Sequence, residues 1–207
     1  MQHLYLYRKI DQAKHSLGGQ KGVSLIIVMM ILTIVSILGV AGVQIAIMSE
    51  RGARNDRDMQ IAWQGAEAGL MDAEFDIFGP GASARRALFQ SSRDITPFVN
   101  GCGTSGNNIG LCSLVTTGKA AWVTADFEDV SSSAPTTQFG QYTGRSFASG
   151  TTGVQPVRAP RYVIEPIRDN GDRDLGATSP KYVYRVTSMG YGPRADIQAV
   201  VQMVYRF

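Results

Sequence analysis

An uncharged apolar run near the amino terminus constrains this chain more than any other feature. No Asp, Glu, Lys, Arg or His lies between Gly22 and Ser49. Within residues 23–48 the run is interrupted by a few polar side chains, namely Ser24, Thr33, Ser36 and Gln44. About 20 apolar residues suffice to cross a bilayer, whereas a soluble helix of this length would show a polar face. The run therefore predicts a helix that inserts in a membrane.

Basic residues lie on the amino-terminal side of this run, and they set its predicted orientation. Residues 1–22 contain four Lys or Arg against one Asp, whereas the rest of the chain has sixteen basic and sixteen acidic residues. Positive charge stays on the cytoplasmic side of a membrane helix. We therefore expect a single-pass inner-membrane protein whose carboxyl-terminal domain is periplasmic.

The junction between the charged leader and the apolar run resembles a prepilin cleavage site. Gln20-Lys21-Gly22 is followed directly by Val23-Ser24-Leu25-Ile26-Ile27-Val28. In the type IV prepilin family a membrane-embedded peptidase cuts after this glycine and methylates the new terminus. The resemblance therefore implies cleavage after Gly22 and N-methylation of Val23. An ordinary secretory signal has a shorter apolar core and is cut beyond it.

One position departs from the pattern of the major pilins. Those proteins carry a glutamate at the fifth mature position and pair it with the terminal amine of a neighbouring subunit, but here the residue is Ile27. A carboxylate in the hydrocarbon region requires a partner, and Ile27 cannot make that pair. The resemblance implies either relaxed packing or, as the favoured interpretation, a subunit at the fibre tip with no upstream neighbour to meet.

Apolar or small residues continue at helical spacing after the membrane run, over residues 49–78. They form one narrow stripe, made of Met59, Ala62, Trp63, Ala66, Leu70, Ala73 and Ile77. Gly79-Pro80-Gly81 is expected to end the helix, because proline lacks a donor and glycine favours a turn. The sequence predicts one long helix whose stripe is covered by an exported domain.

The residues around this stripe resemble the PilX family of minor type IV pilins. In the helix the resemblance rests on Glu50-Arg51, Arg54-Asn55-Asp56-Arg57-Asp58, Trp63-Gln64-Gly65-Ala66-Glu67-Ala68-Gly69-Leu70 and Asp72-Ala73-Glu74. Near the carboxyl terminus it rests on Tyr162-Val163-Ile164-Glu165, Tyr184-Arg185-Val186-Thr187 and Gln202-Met203-Val204-Tyr205. The charged residues after Ser49, such as Arg51 and Arg54, are interpreted as a solvated helical face of mixed charge, with contacts to other fibre subunits as the alternative.

The segment 79–207 is predicted to form the exported, β-rich domain. Alternating apolar and polar residues indicate strands over residues 122–127, 162–165, 182–188 and 195–207. Residues 189–194 are expected to turn the chain between the last two strands, and the Ser-, Thr- and Gly-rich segments 131–137 and 139–153 to form surface loops. The fold class is therefore α+β and pilin-like, a long amino-terminal helix packed on an antiparallel sheet.

Two cysteines, Cys102 and Cys112, bracket a loop rich in glycine and asparagine. Export would place them in an oxidising compartment, so they are predicted to form a disulfide that contributes roughly 3 kcal/mol through loop closure. A redox site would more usually present C-x-x-C, and a zinc site requires more ligands than two thiols.

Few residues offer enzymatic chemistry. Both histidines, His3 and His15, precede Gly22, so the chain beyond the leader has no imidazole for general-base work or metal ligation. The balanced charge beyond Gly22 lacks the excess that phosphate neutralisation requires, which argues against nucleic acid as the main partner. The sequence predicts neither an enzyme nor a cofactor.

One acidic turn offers oxygen ligands for a hard cation such as calcium. Its candidate ligands are Asp169, Asp172 and Asp174, which surround Gly171. The full calcium-binding loop also supplies a bidentate glutamate, and Pro180 occupies that position. A polar turn without a metal is the alternative interpretation.

The sequence as a whole predicts a minor pilin that is assembled and not catalytic. Its parts are a leader (1–22), a membrane and fibre-core helix (23–48), an amphipathic continuation (49–78) and the exported domain (79–207). Expected partners are other minor and major pilins, the prepilin peptidase and the inner-membrane assembly machinery. The resemblance implies a priming or tip complex that supports adhesion or twitching motility. A type II secretion pseudopilin and a membrane-anchored periplasmic binding or enzymatic domain are the alternatives.

Overall fold

The computed structural model describes residues 22–79, 85–171, 173, 176 and 178–206. The chain divides into two compact units, Met1–Glu50 and Arg51–Phe207. Helix α1 spans Val23–Phe78. It is followed by a short helix and four strands, namely α2 (Ala121–Thr124), β1 (Thr137–Gln138), β2 (Arg161–Arg168), β3 (Tyr182–Tyr191) and β4 (Gln198–Tyr205). Residues 1–21, which make up the predicted leader apart from Gly22, lie outside the described residues.

Helix α1 ends at the predicted residue, Phe78. The backbone N–H of Gly79 donates to the carbonyl of Phe75 over 2.8 Å, which closes the last turn. A Cβ added at Gly79 would lie 2.4 Å from the same carbonyl oxygen, so the close approach requires glycine.

The strands form one antiparallel sheet in the order β1-β2-β3-β4. β1 covers the start of the outer edge of β2, and residues 110–112 cover the next part. There Cys112 N–H donates to the carbonyl of Ile164 and Ile164 N–H to that of Gly110, each over 2.9 Å. The helix on an antiparallel sheet confirms the predicted α+β fold, and β2, β3 and β4 confirm three of the predicted strands.

Helix α1 and strand β3 approach each other through glycines. A Cβ added at Gly190 would lie 2.1 Å from the carbonyl oxygen of Ala62 and 2.2 Å from the nitrogen of Ala66. A Cβ added at Gly69 would lie 2.2 Å from Oγ of Ser188. Backbone therefore packs on backbone here, which only residues without a side chain allow.

The sheet carries a separate hydrophobic cluster on each face, because successive residues of a strand point to opposite sides. One cluster joins α1 to the sheet and contains Ala73, Ile77, Phe89, Phe98, Leu111, Tyr162, Ile164, Tyr184 and Val186. The other is built around Val163 and contains Cys102, Cys112, Ala121 and Phe127. Both faces of the sheet are therefore covered at β2, whereas Val200 and Val204 of β4 are exposed.

The strand predicted over residues 122–127 is wrong. The chain forms helix α2 there, and the N–H of Ala121 donates to Glu165 Oε1 over 3.0 Å. Phe127 is buried in the second cluster, and Trp122 packs against it. The apolar residues of this segment thus pack against one face of the sheet. Periodicity alone does not distinguish such packing from a strand within the sheet.

Two loop predictions also need correction. The turn predicted over residues 189–194 begins later, because β3 continues to Tyr191 and Gly190 serves the contact with α1. The segment predicted as a surface loop over 131–137 is partly buried, and Thr137 belongs to β1. Thr136 and Thr137 are fully buried because their oxygens accept hydrogen bonds from two buried arginines.

Candidate functional site

The apolar segment of α1 exposes its entire surface within the chain. Every residue from Val23 to Glu50 is exposed. The helix is long and apolar enough to cross a membrane, with a mean hydropathy of 2.9 over its most apolar window, of which 0% is buried. Monomeric soluble proteins rarely expose apolar patches larger than a few hundred Å². This surface therefore requires lipid or other protein chains as its surroundings.

The hydroxyls within this segment are satisfied by the helix itself. Thr33 Oγ1 donates to the carbonyl of Met29 and Ser36 Oγ to that of Leu32, each over 2.7 Å. Such bonds let a hydroxyl enter an apolar environment without an unpaired donor. Ile27 is 52% exposed and adds to the apolar surface. Cleavage after Gly22 and methylation of Val23 stay predictions.

The predicted stripe along residues 59–77 is partly correct. Ala62, Ala66, Ala73 and Ile77 are buried, and Leu70 is half-buried. The prediction is wrong for Met59 and Trp63, which are 44% and 51% exposed. The buried face is rotated toward small and acidic residues, namely Gly65, Gly69, Asp72 and Asp76.

A fully buried ion pair fixes the end of α1 in the domain. The guanidinium of Arg85 donates through Nε to Asp76 Oδ2 over 2.8 Å and through Nη2 to the same oxygen. Tyr162 OH also donates to Asp76 Oδ2, over 3.0 Å. Burial alone would lower the pKa of Arg85, but Asp76 and Tyr162 raise it overall. Burial and Asp76 raise the pKa of Tyr162 well above its ordinary value, so the phenol stays a donor.

Arg85 also links this pair to the outer edge of β2. Its Nη1 donates to the carbonyl of Ile109, and its Nη2 to Thr137 Oγ1 over 3.1 Å. The guanidinium lies 3.9 Å from the ring centroid of Tyr142. A buried charge is tolerated when it is paired and hydrogen-bonded in this way.

A second buried carboxylate, Asp72, lies one helical turn earlier. It accepts from the N–H of Gly140 over 2.7 Å and from Thr143 Oγ1 over 2.5 Å. Arg145 Nη1 is 3.7 Å away, and its guanidinium also lies over the ring of Phe75. Burial raises the pKa of Asp72 above its ordinary value, although the bonds from Thr143 and Gly140 oppose the shift. Asp72 thus attaches the segment around residue 140 to the helix.

Sequence reasoning missed these two carboxylates as structural residues. A signal was available, because Asp72 and Asp76 fall at helical spacing from Gly65, Gly69 and Ala73. Their partners follow no local pattern, since Arg85 and Thr143 come from loops.

The predicted disulfide between Cys102 and Cys112 is present, with the two sulfurs 2.02 Å apart. It closes the loop that ends at residues 110–112, which pair with β2. Cys102 and Gly110 adopt positive φ angles of 72° and 73°. A Cβ at Gly110 would also lie 2.3 Å from Thr137 Oγ1, so this turn requires glycine.

The candidate calcium ligands are only partly within the described residues. Asp169 Oδ1 lies 2.9 Å from Arg206 Nη2 and accepts from the N–H of Gly171 over 2.9 Å. Asp172 and Asp174 lie outside the described residues. Among the residues that the structure describes, no group of three or more His, Cys, Asp or Glu is arranged to hold a metal.

A membrane-length apolar helix, continued by residues that pack on a four-stranded antiparallel sheet, defines a pilin-like protein. Two family models match the chain, one described as PilX N-terminal over residues 21–70 and one as Type IV pilus assembly protein PilX C-term over residues 104–207. The chain belongs to the PilX family of type IV pilus assembly proteins. Comparisons with curated proteins and with solved structures give no match.

Proposed function

We propose that this chain is a minor pilin, a structural subunit of a type IV pilus that assembles through residues 23–48. The observation that carries the proposal is the uncharged helical surface, exposed on every side. In the membrane this surface is solvated by lipid, and in a fibre it packs on the helices of other subunits. Close packing then offsets the loss of lipid contacts. Membership in the PilX family supports a pilus.

Maturation follows from the leader. The prepilin peptidase cuts after Gly22 and methylates Val23, and the basic leader keeps the amino terminus cytoplasmic. The domain that contains the sheet then lies in the periplasm until the assembly machinery extracts the subunit into the fibre. The oxidising periplasm supports the disulfide between Cys102 and Cys112.

The proposed position at the fibre tip is based on Ile27, which stands where major pilins carry a glutamate. A subunit that lacks a carboxylate at this point gains nothing from the terminal amine of an upstream neighbour. It therefore suits a priming or tip complex with other minor pilins, in support of adhesion or twitching motility. The turn around residues 117–119 is exposed, and a Cβ added at Gly118 would have nothing within 4 Å, so this turn is a suitable position for an epitope tag.

The experiment is intact-mass analysis of the protein in sheared fibres, combined with labelling of a tag inserted after Gly118. A mature chain that begins at Val23 with one added methyl group, and labels confined to fibre ends, are the expected results. A chain that keeps its leader and is absent from fibres contradicts the minor-pilin role. Labels spread evenly along fibres contradict the tip position alone. Loss of protein secretion with intact fibres after gene deletion would indicate the pseudopilin alternative.

A further inference from the structure

A polar cavity of about 290 Å³ lies where β1 meets the start of β2. Its floor is formed by Ala134, which is 1% exposed, and Arg161, which is 4% exposed. Its rim consists of exposed residues from the loop before β1, from β1 itself and from the turn after it, namely Val130, Ser131, Ser132, Gln138 and Gln141. This volume is close to the lower limit of small-molecule binding sites, which is about 300 Å³.

Arg161 on the cavity floor is a buried cation whose hydrogen bonds go to uncharged groups. Its Nε donates to Thr136 Oγ1 over 2.6 Å and its Nη2 to the Thr136 carbonyl over 2.7 Å. Within the described part of the chain, Nη1 has no hydrogen-bond acceptor, and no carboxylate lies within ion-pair distance of the guanidinium. Burial lowers the pKa of Arg161, although Tyr191 and the nearby carboxylate of Asp129 oppose the shift.

The other buried arginine, Arg85, differs from Arg161 in its partner. Arg85 is fully buried too, but its charge is neutralised by Asp76 at hydrogen-bond distance. Proteins rarely bury a charge unless it is paired. Arg161 instead lines a cavity, so an anion from solvent can approach it there.

The lining restricts the class of anion. One guanidinium matches one negative charge, which favours a monoanion such as a carboxylate over a dianion such as phosphate. The rim offers hydroxyls and amides, and the Gln141 side chain is fixed there because its Oε1 accepts from Gln138 N–H over 3.1 Å. Such groups recognise hydroxyls, whereas a guanidinium nitrogen such as Nη1 donates a charge-assisted hydrogen bond to a carboxylate.

We propose that this cavity binds a uronic-acid-type saccharide, with its carboxylate on Arg161 Nη1 and its hydroxyls against the serine and glutamine side chains of the rim. The site would give the exported domain a ligand on the cell surface or in a surrounding polysaccharide. Binding itself is independent of fibre assembly.

The test is isothermal titration of the full mature chain in detergent micelles with D-glucuronate. D-glucose is the probe that lacks the carboxylate. Acetate and lactate are probes that keep the carboxylate but lack the sugar ring. We expect heat with glucuronate, weakened by added salt, and binding roughly tenfold or more weaker for the other three. Equal binding of glucose, acetate or lactate, or no binding of glucuronate, overturns the proposal.

Two variants test the site from different sides. Arg161→Gln removes the cation, and Ser132→Trp fills the mouth of the cavity while leaving its buried floor unchanged. Each is expected to weaken glucuronate binding at least roughly tenfold. Arg194→Gln is the matched control, because Arg194 is exposed and paired with Asp196. If Ser132→Trp folds with an unchanged melting temperature and still binds glucuronate as wild type does, the proposal is wrong. If this variant forms fibres and still binds glucuronate as wild type does, the binding proposal fails while the proposed pilin function stands.

Discussion

Two stretches of helix α1 differ in where their partners come from. Residues 23–48 carry no charge and are all exposed within the described part of the chain, whereas residues 62–77 are buried along one face. The second stretch contains two fully buried carboxylates, Asp72 and Asp76, each held by donors from outside the helix.

This difference shows how one helix can serve two purposes. The buried stretch is fixed by polar groups whose geometry is specific, so the domain has a single defined attachment to its helix. The exposed stretch presents non-directional apolar surface, which lipid and neighbouring helices can cover equally well. Changes in the buried residues 62–77 should therefore affect folding, and changes in the exposed residues 23–48 should affect assembly.

The largest effect is expected from Asp76→Ala, which leaves Arg85 buried without its counter-ion. Loss of one partner of a buried pair costs about 3–5 kcal/mol. Urea unfolding of the full chain in micelles, followed by tryptophan fluorescence, measures the free energy of unfolding. Asp196→Ala is the control, since the Asp196–Arg194 pair is exposed and should matter little. Equal stability of the two variants would refute a structural role for the buried pair.

Removal of the disulfide comes next. The double variant Cys102→Ser, Cys112→Ser should lower the free energy of unfolding by about 3 kcal/mol, because the loop that covers β2 regains its freedom when unfolded. The same urea titration of wild type under reducing conditions should match the variant. A wild-type protein whose stability is insensitive to reductant would contradict this role.

Gly190→Ala should destabilise the contact between α1 and β3 by about 1–3 kcal/mol, since its Cβ has no room beside Ala62 and Ala66. Gly52→Ala provides a control of opposite sign. Gly52 lies in α1, and a Cβ added there would have nothing within 4 Å. Alanine there should stabilise the helix by up to about 1 kcal/mol. Similar effects of the two substitutions would show that the helix is not in backbone contact with β3.

Asp72 should give a smaller, pH-dependent effect. Because burial raises its pKa above the ordinary 3.8, the folded state binds the proton more tightly than the unfolded state does. Its contribution to stability is full below pH 3.8 and is lost as the pH rises through the raised value. The unfolding free energy of wild type should therefore fall relative to that of Asp72→Asn as the pH rises over this window. A relative increase would mean that bonds to Gly140, Thr143 and Arg145 dominate.

The smallest effect is expected from calcium. Asp169 already pairs with Arg206, so a cation would have to displace that guanidinium. We expect no heat when calcium is titrated into the full chain in micelles. Clear heat that disappears in Asp169→Asn would establish the acidic turn as a metal site.

The sequence predicted the features that depend on local patterns. The apolar run, the end of α1 before Gly79, strands β2 and β3 and the disulfide all follow from composition, periodicity or compartment. The buried face of α1 was misjudged at Met59 and Trp63, because hydrophobicity alone ranks these above Gly65 and Gly69. Backbone contact with Gly190 instead selects the smallest residues.

The contacts between buried polar residues could not be predicted from the sequence. Arg85 and Asp76 are close in sequence, but nothing local shows that a charged pair will be buried there, since such residues are mostly exposed. The cavity over Arg161 depends on a loop that folds back over β2. Its Ser and Thr content indicated an exposed loop, whereas Thr136 and Thr137 in fact bind the two buried arginines.

The most direct measurement of the central claim uses a photo-crosslinking residue in place of Val35, which lies within the exposed apolar stretch and is 58% exposed. Irradiated, sheared fibres should contain this chain covalently joined to another pilin subunit. The same residue at Val123, which is 48% exposed in the domain, is the control. Absence of the chain from fibres, or fibres in which position 35 forms no subunit crosslink, would contradict assembly through this helix.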